Sequence, residues 1–461
     1  MISKLPCYWA HHGIVYKSGY TSPCPIQVDQ PHWCSDTIIP SEFLNTDGYR
    51  KIRTMLDGGK WPSGCKECMH KDKSGIESMR TFSLQANTNG WLDVPENFDY
   101  KESVNVPSIV EGKVRCEDIY HFEFRLNNSC NMACLHCDKT YSSQWESALK
   151  RYEIPQEVMW SDISQLKGTR HTSSDEGGKI SRALPRISLK IKDIDEICDD
   201  LIKNFPNLRQ IDVSGGEPLK QREFARMLDR LSEHPNAKKI IIMFYTNFNA
   251  DFDPKKLVER LSAFKHTIMH MSIDAGVRIY PYFRDGDWDK LKENIKMFRD
   301  HIPKGQEYRY HLCGVLTTSI FQVMDINNMF MSVMDLDIEK LSASIVHTPS
   351  YINMGILYEL FPEQVKQDIN RTRENIVNKL SNPEIKKGAL ESLKLIEEYF
   401  LDCKYKLEGD SWQSTKDGYT TQTKRFILYV RETEKLFNKD FNKTYSDGHY
   451  QIEGDTLVRT R

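Results

Sequence analysis

The sequence contains no run of about 18 apolar residues, the length a membrane-crossing helix needs, so a spanning chain is not expected. Its opening, MISKLPCYWAHHG, lacks the apolar core of a signal peptide, and a cytosolic location is expected. An excess of one charge is missing too. Lys and Arg number 63 against 65 Asp and Glu, a net charge of −2. That balance excludes a general polycation for nucleic acid or an anionic membrane surface. Neither a repeat of solenoid period nor a low-complexity tract occurs. What remains is an ordinary soluble composition, 28% charged and 39% hydrophobic, over 461 residues. That length accommodates a large α/β barrel with an extra module.

What is present in unusual number is cysteine, of which there are 12. In a reducing compartment, thiols at short spacing are metal ligands more often than disulfide partners. Cys130, Cys134 and Cys137 lie together in SCNMACLHCDK (129–139). Three ligands are too few for a closed zinc site, and an odd count does not suit a disulfide framework. Three thiolates do suit an iron–sulfur cubane that keeps one iron open to an external ligand. The second group is Cys7, Cys24, Cys65 and Cys68, whose C-x2-C pair is able to clamp one metal; zinc and iron–sulfur both fit it. Cys34, in HWCSD, is an alternative to Cys24. Cys116 and Cys198 read as ordinary buried thiols.

Residues 1–90, rich in Cys, Gly, Pro and Trp, read as a loop-rich module stapled by metal, and 91–119 as a linker. Residues 120–350 alternate between strand and helix patterns. HFEFRLNN (121–128) leads straight into the three-cysteine loop, and YSSQWESALKRYE follows as a helix capped near Ser142 or Ser143. The polar stretch 161–186 reads as an insertion. Further strands are expected in LRQIDVSGG, KKIIIMFYTNF, TIMHMSID, YRYHLCGVLTT and KLSASIVH, with helices between them. Six βα units in series predict an α/β protein with an open, partial (β/α)6 TIM-like barrel, whose strand C-termini carry the chemistry. Residues 351–461 read as a charged helical extension, its polar tail poorly ordered.

C-x3-C-x2-C directly after the first barrel strand resembles the radical S-adenosylmethionine (SAM) enzymes. The resemblance implies a 4Fe-4S cluster on Cys130, Cys134 and Cys137 whose free iron chelates SAM. SGGEP is similar to the family's GGEP motif, so Ser214, Gly215, Gly216 and Glu217 are implied to receive the SAM ammonium. The chemistry agrees: glycines admit close backbone approach, and Glu217 supplies negative charge. A plain strand-to-helix turn is the other reading. In SIDAG (272–276), Ser272 and Asp274 are implied to bond the ribose hydroxyls, with a helix cap as the alternative. Thr246 and Asn247, in YTNF, correspond to a stretch lining the same pocket. Arg284 follows at the place of a SAM-carboxylate arginine, and His136 stands where the family commonly has an aromatic residue near the adenine.

Cys7-x11-Gly19-x4-Cys24, with Cys65 and Cys68, resembles the family's "twitch" auxiliary module, which implies a second 4Fe-4S cluster; the further cysteines of the longer SPASM variant are not found. The module precedes the barrel here, whereas the common arrangement places it after.

The implied activity is reductive cleavage of SAM to methionine and a 5′-deoxyadenosyl radical, which abstracts hydrogen from a substrate C–H bond. The electron comes from a donor such as flavodoxin or ferredoxin. The expected substrate is a peptide or protein side chain, modified oxidatively or cyclised. A small polar metabolite, a sugar or nucleoside, is the second reading, and a non-catalytic zinc or iron–sulfur protein the third. His311 and Cys313, two apart on one strand, are candidate hydrogen or proton donors or else a packed pair. Tyr308, Tyr310, Tyr351 and Asn353 are further pocket candidates.

Overall fold

The structure is a computed structural model that describes residues 7–17, 20–24, 37–73, 78–81, 110–139, 141–151, 189–346, 350–406, 418–445 and 450–459. Residues 91–109 of the expected linker, the 161–186 insertion, Gly19 and Cys34 lie outside the described residues; the rest of the linker forms two short turns of helix, Val110–Gly112 and Cys116–Asp118.

The strands are β1 (Gly13–Lys17), β2 (Tyr20–Ser22), β3 (His121–Arg125), β4 (Gln210–Ser214), β5 (Ile241–Thr246), β6 (His266–Ser272), β7 (Tyr310–Thr318) and β8 (Lys340–Ile345). They form one eight-stranded sheet in the order β2-β1-β3-β4-β5-β6-β7-β8. From β3 to β8 the order follows the sequence, as successive βα units dictate. The α/β architecture expected from the sequence is therefore observed, with two additional strands at one edge. Of these, β1 runs parallel to β3, pairing Gly13 with His121 and Lys17 with Arg125. β2 runs antiparallel to β1.

The chain divides into two compact units. The first takes in residues 1–128, 164–244 and 255–268. Here β3 and β4 run parallel, with Glu123 opposite Asp212 and Arg125 opposite Ser214. Phe122, Phe124, Ile211 and Val213 are fully buried, as expected of parallel strands covered by helices. The helix Arg222–Leu231 buries Phe224, Met227, Leu228 and Leu231, one stripe at helical spacing. The helix Ile191–Asn204 does the same with Ile194, Ile197, Cys198 and Leu201, so Cys198 is the buried core thiol expected.

The second unit comprises 129–163, 245–254 and 269–461. β7 and β8 pair in parallel, Cys313 opposite Lys340. Gly388, on the helix Pro383–Lys406, lets that helix approach β8: a Cβ there would sit 2.3 Å from the Leu341 carbonyl oxygen. The polar tail departs from expectation. It forms the helix Phe441–Tyr445 and a hairpin of β9 (Tyr450–Glu453) and β10 (Thr456–Arg459). A few large apolar groups outweigh the polar majority: Phe441, Tyr445, Tyr450 and Leu457 are all buried, and Gly454 takes the left-handed turn. Among the described residues, no helix is long and apolar enough to cross a membrane.

Candidate active site

The three-cysteine loop leaves β3 and runs into the helix Ser143–Arg151, and side chains hold it residue by residue. The Cys130 carbonyl accepts from Ser143 Oγ (3.1 Å) and Gln144 Nε2 (3.3 Å). Ser142 Oγ donates to the Met132 carbonyl (2.7 Å) and accepts from the amides of Gln144 and Trp145, so it caps the helix and pins the loop together. The Trp145 indole donates to the Cys134 carbonyl at 2.9 Å. The Leu135 amide donates to the Phe283 carbonyl at 2.9 Å, and the Ala133 amide to Asp285 at 3.3 Å.

Cys130 and Cys134 are buried. Burial and then the neighbouring thiols Cys134 and Cys130 push the Cys137 pKa well up, so the three sulfurs share one electrostatic environment. Burial also raises Cys134, while Arg284 beside it works the other way. Cys134 Sγ donates to the Arg284 carbonyl at 3.3 Å. Asn247 Nδ2 lies 4.0 Å from Cys130 Sγ and donates to Asn131 Oδ1 at 2.9 Å.

Around this loop the structure brings together His136, Asp274 and Arg284. Arg284 Nη1 donates to Asp274 Oδ2 at 2.6 Å, and the other carboxylate oxygen accepts from the Thr317 amide at 2.7 Å. Burial opposes the Arg284 charge, but Cys134 and Asp274 outweigh it and raise its pKa. His136 Nε2 is 3.7 Å from Asp274, and its ring stacks on Phe283 at 5.1 Å and 15°. Burial keeps His136 neutral, with a pKa of about 4. Asp274 itself has φ 53°, a strained position for a non-glycine residue. Ser272 ends β6. Thr246 Oγ1 and Asn247 Oδ1 accept from the amides of Phe248 and Asn249, shaping a turn in which Phe248 has φ 52°.

In the first unit, Gly215 (φ 86°) and Gly216 (φ 57°) turn the chain sharply after β4. A Cβ on Gly215 would meet the Asn127 carbonyl oxygen at 3.4 Å. Glu217 is fully buried, and its Oε1 accepts from the Leu219 amide at 3.0 Å. Ser214 Oγ donates to Glu123, which also accepts from Arg125 Nε at 2.8 Å.

The second cysteine group converges as well. Cys7, Cys24, Cys65 and Cys68 line one cleft with Trp9, Trp61, Met79 and Arg80. Cys7 precedes the short helix Tyr8–His12, and Cys24 follows β2, so the hairpin between them returns the chain to the same place. Burial first, then Cys24 and Cys68, push the Cys7 thiol up to about 12. Arg80 pairs with Asp72 at 2.6 Å and lies 5.6 Å over the Trp61 ring.

Among the described residues, no three His, Cys, Asp or Glu side chains are drawn to metal-ligand distance. The residues nonetheless fit cluster and cofactor. The donor sets are thiols, the soft ligands iron–sulfur clusters take. Arg284 Nε, a donor, and His136 Nδ1, one nitrogen of a neutral imidazole, are buried without a hydrogen-bond partner among the described residues, as groups reserved for a polar ligand would be.

Sequence reasoning missed Trp145, Phe283, Thr317, Tyr429 and Lys439. Trp145 carried a signal, because it lies three residues after Ser142, on the face of the helix that turns back to the loop. The others reach the loop from distant segments and carried none.

Residues 125–312 match the family model described as the radical SAM superfamily. No curated protein matches the chain. Solved structures similar to it include Streptococcus suis SuiB bound to precursor peptide SuiA, at 14% identity and TM-score 0.32, covering 67% of this chain and 60% of that one. The chain therefore spans about three-fifths of SuiB. Another is native anSMEcpe with bound AdoMet, at 14% identity and TM-score 0.32, covering 69% of this chain and 98% of that one. A third is TYW1 with a lysine-pyruvate adduct bound, at 14% identity and TM-score 0.26, covering 48% and 64%.

Proposed function

Given a radical SAM superfamily domain at residues 125–312, we propose that the chain is an enzyme that reductively cleaves SAM and uses the resulting 5′-deoxyadenosyl radical to abstract hydrogen from a peptide or protein side chain. The observation that carries the reading is the prebuilt loop. Two of its three thiols, Cys130 and Cys134, are buried and Cys137 is half-buried, and the carbonyls of Cys130, Met132 and Cys134 are each held by a side-chain donor.

Cys130, Cys134 and Cys137 would hold the cluster, which, once reduced by an external one-electron donor, would supply the electron that cleaves SAM. Gly215, Gly216 and Glu217, in the first unit, are the candidates for the SAM ammonium on the chemistry of their motif: glycines admit close backbone approach and Glu217 offers a countercharge. Arg284 is oriented by Asp274, which leaves Nε to receive a carboxylate. His136, flat on Phe283 and neutral, offers a ring face and Nδ1 to a purine. Asp274 has both oxygens engaged by protein groups, so its part in ribose binding is to fix neighbours, which leaves Ser272 as the candidate for the ribose hydroxyls. Thr246 and Asn247 shape the wall beside Cys130. Cys7, Cys24, Cys65 and Cys68 take an auxiliary four-iron cluster. Four soft ligands in one mostly apolar cleft suit it as they suit zinc, and the radical SAM domain in the same chain favours iron–sulfur; an auxiliary cluster suits oxidative or cyclising chemistry on a side chain.

The test is an iron and sulfide count on anaerobically reconstituted protein. About eight irons per chain are expected in the parent and about four in the Cys130/Cys134/Cys137→Ala variant, with 5′-deoxyadenosine formed by the parent alone. A parent count of about four that falls to none, with one zinc kept, would make the N-terminal cleft structural.

A further inference from the structure

We propose that the C-terminal extension is a strap that fixes the three-cysteine loop before any cluster is loaded, with Tyr429 and Lys439 as its positioning residues. The inference rests on reading Cys130, Cys134 and Cys137 as cluster ligands.

Three contacts carry it. The Tyr429 hydroxyl, from the helix Gly418–Phe437, donates to the Leu135 carbonyl, which lies between two of the loop cysteines. Tyr429 is buried and packs on Tyr351 at 5.1 Å, so its hydroxyl has a fixed place. Lys439 Nζ donates to the Tyr282 carbonyl at 2.6 Å and lies 3.6 Å from Asp285, the residue that receives the Ala133 amide. Its side chain is only 6% exposed, and the ammonium sits 5.9 Å over Tyr282 and 5.4 Å over Phe437. Phe437 in turn packs edge-on against Trp145 at 4.8 Å, and Trp145 holds the Cys134 carbonyl.

A second layer keeps the strap down. Tyr445 OH donates to the Phe321 carbonyl at 3.1 Å, and Phe441 and Tyr445 pack against Tyr282. The consecutive carbonyls of Cys134 and Leu135 are thus both occupied by side-chain donors, one of them supplied by the extension. Ligand-bearing loops lose affinity when such outer contacts are removed. Lys439 also places a buried positive charge near Cys134, and charge beside a cluster sets its reduction potential.

The experiment uses the full chain. In apo protein, hydrogen exchange over 129–139 is compared between parent, Tyr429→Phe and Leu428→Ser, the last a 47% exposed neighbour on the same helix. After reconstitution, iron loss to a chelator is timed, and the potential of the loop cluster is measured for Lys439→Met and Lys439→Arg. Tyr429→Phe is expected to raise loop exchange and to speed iron loss about tenfold. Leu428→Ser is expected to do neither. Lys439→Met is expected to make the potential more negative, and Lys439→Arg to restore it. Unchanged exchange in Tyr429→Phe, an equal effect of Leu428→Ser, or no shift in Lys439→Met overturns the strap. A parent that takes up no iron overturns the cluster reading instead, and apo exchange then decides the strap alone.

Discussion

The two thiol sites gather similar side chains by opposite routes. Cys130, Cys134 and Cys137 come from one short loop, and the folded chain spends its hydrogen bonds on that loop's backbone. Cys7, Cys24, Cys65 and Cys68 come from separate segments, brought to one cleft by a hairpin and the helices around it. Their electrostatics differ as well. Arg284 and Lys439 offset the burial of Cys134. At Cys7 burial dominates, the neighbouring thiols add to it, and Arg80 is the last and smallest offset. Burial still wins at Cys134 and Cys137, so these loop thiols keep their protons in the empty protein, although Arg284 and Lys439 ease the loss at Cys134. Cys7, raised by burial with little to offset it, likewise holds its proton until a metal displaces it.

The largest break in this contrast is expected from Arg284→Met. It strips the buried Asp274 carboxylate of its cation and leaves a charge beside the loop without its partner. Losing one member of a buried pair costs about 3–5 kcal/mol, so the denaturation midpoint of the apo protein is expected to fall clearly. An unchanged midpoint would mean that the Thr317 amide alone satisfies Asp274.

On the cleft side, the corresponding probe is His12, at the end of the helix that follows Cys7. Burial lowers its pKa from 6.5 to about 4, and its Nδ1–H donates to the Asp118 carbonyl at 2.7 Å, with His11 and Arg53 nearby. A depressed pKa means that the folded state resists protonation. The contribution is intact above pH 6.5 and is lost as pH falls toward 4. At about 1.4 kcal/mol per unit, about 3 kcal/mol is lost across that window. Stability measured against pH should show this slope in the parent and a flatter one in His12→Gln. Equal slopes would place the titration elsewhere.

The smallest effect is expected at Ser142. Ser142→Ala removes both the helix cap and the donor to the Met132 carbonyl, worth about 1 kcal/mol by chemical denaturation. A loss no larger than that of an exposed serine elsewhere would show that the loop does not depend on its cap.

Much of the fold was legible in order. Alternating apolar strands and amphipathic helices announce βα units, because local periodicity follows directly from backbone geometry. The β3 pattern and the helix after the cysteine loop were found where the sequence placed them, and Ser142 is the cap. The polar tail misled. Its composition is polar on average, whereas its structure depends on four apolar side chains that find a place among distant partners.

By itself, the sequence determined which chemistry is available. Cysteine spacing, glycines where the chain turns sharply and carboxylates at strand ends are local properties, written in neighbouring residues. The grouping of Cys7, Cys24, Cys65 and Cys68 was expected from their spacing, but tertiary structure alone decided that Asp274 is bound to Arg284 and that Tyr429 closes on Leu135. Those pairings depend on which buried surfaces fit together after the chain has collapsed, and no local pattern in a single sequence records that fit.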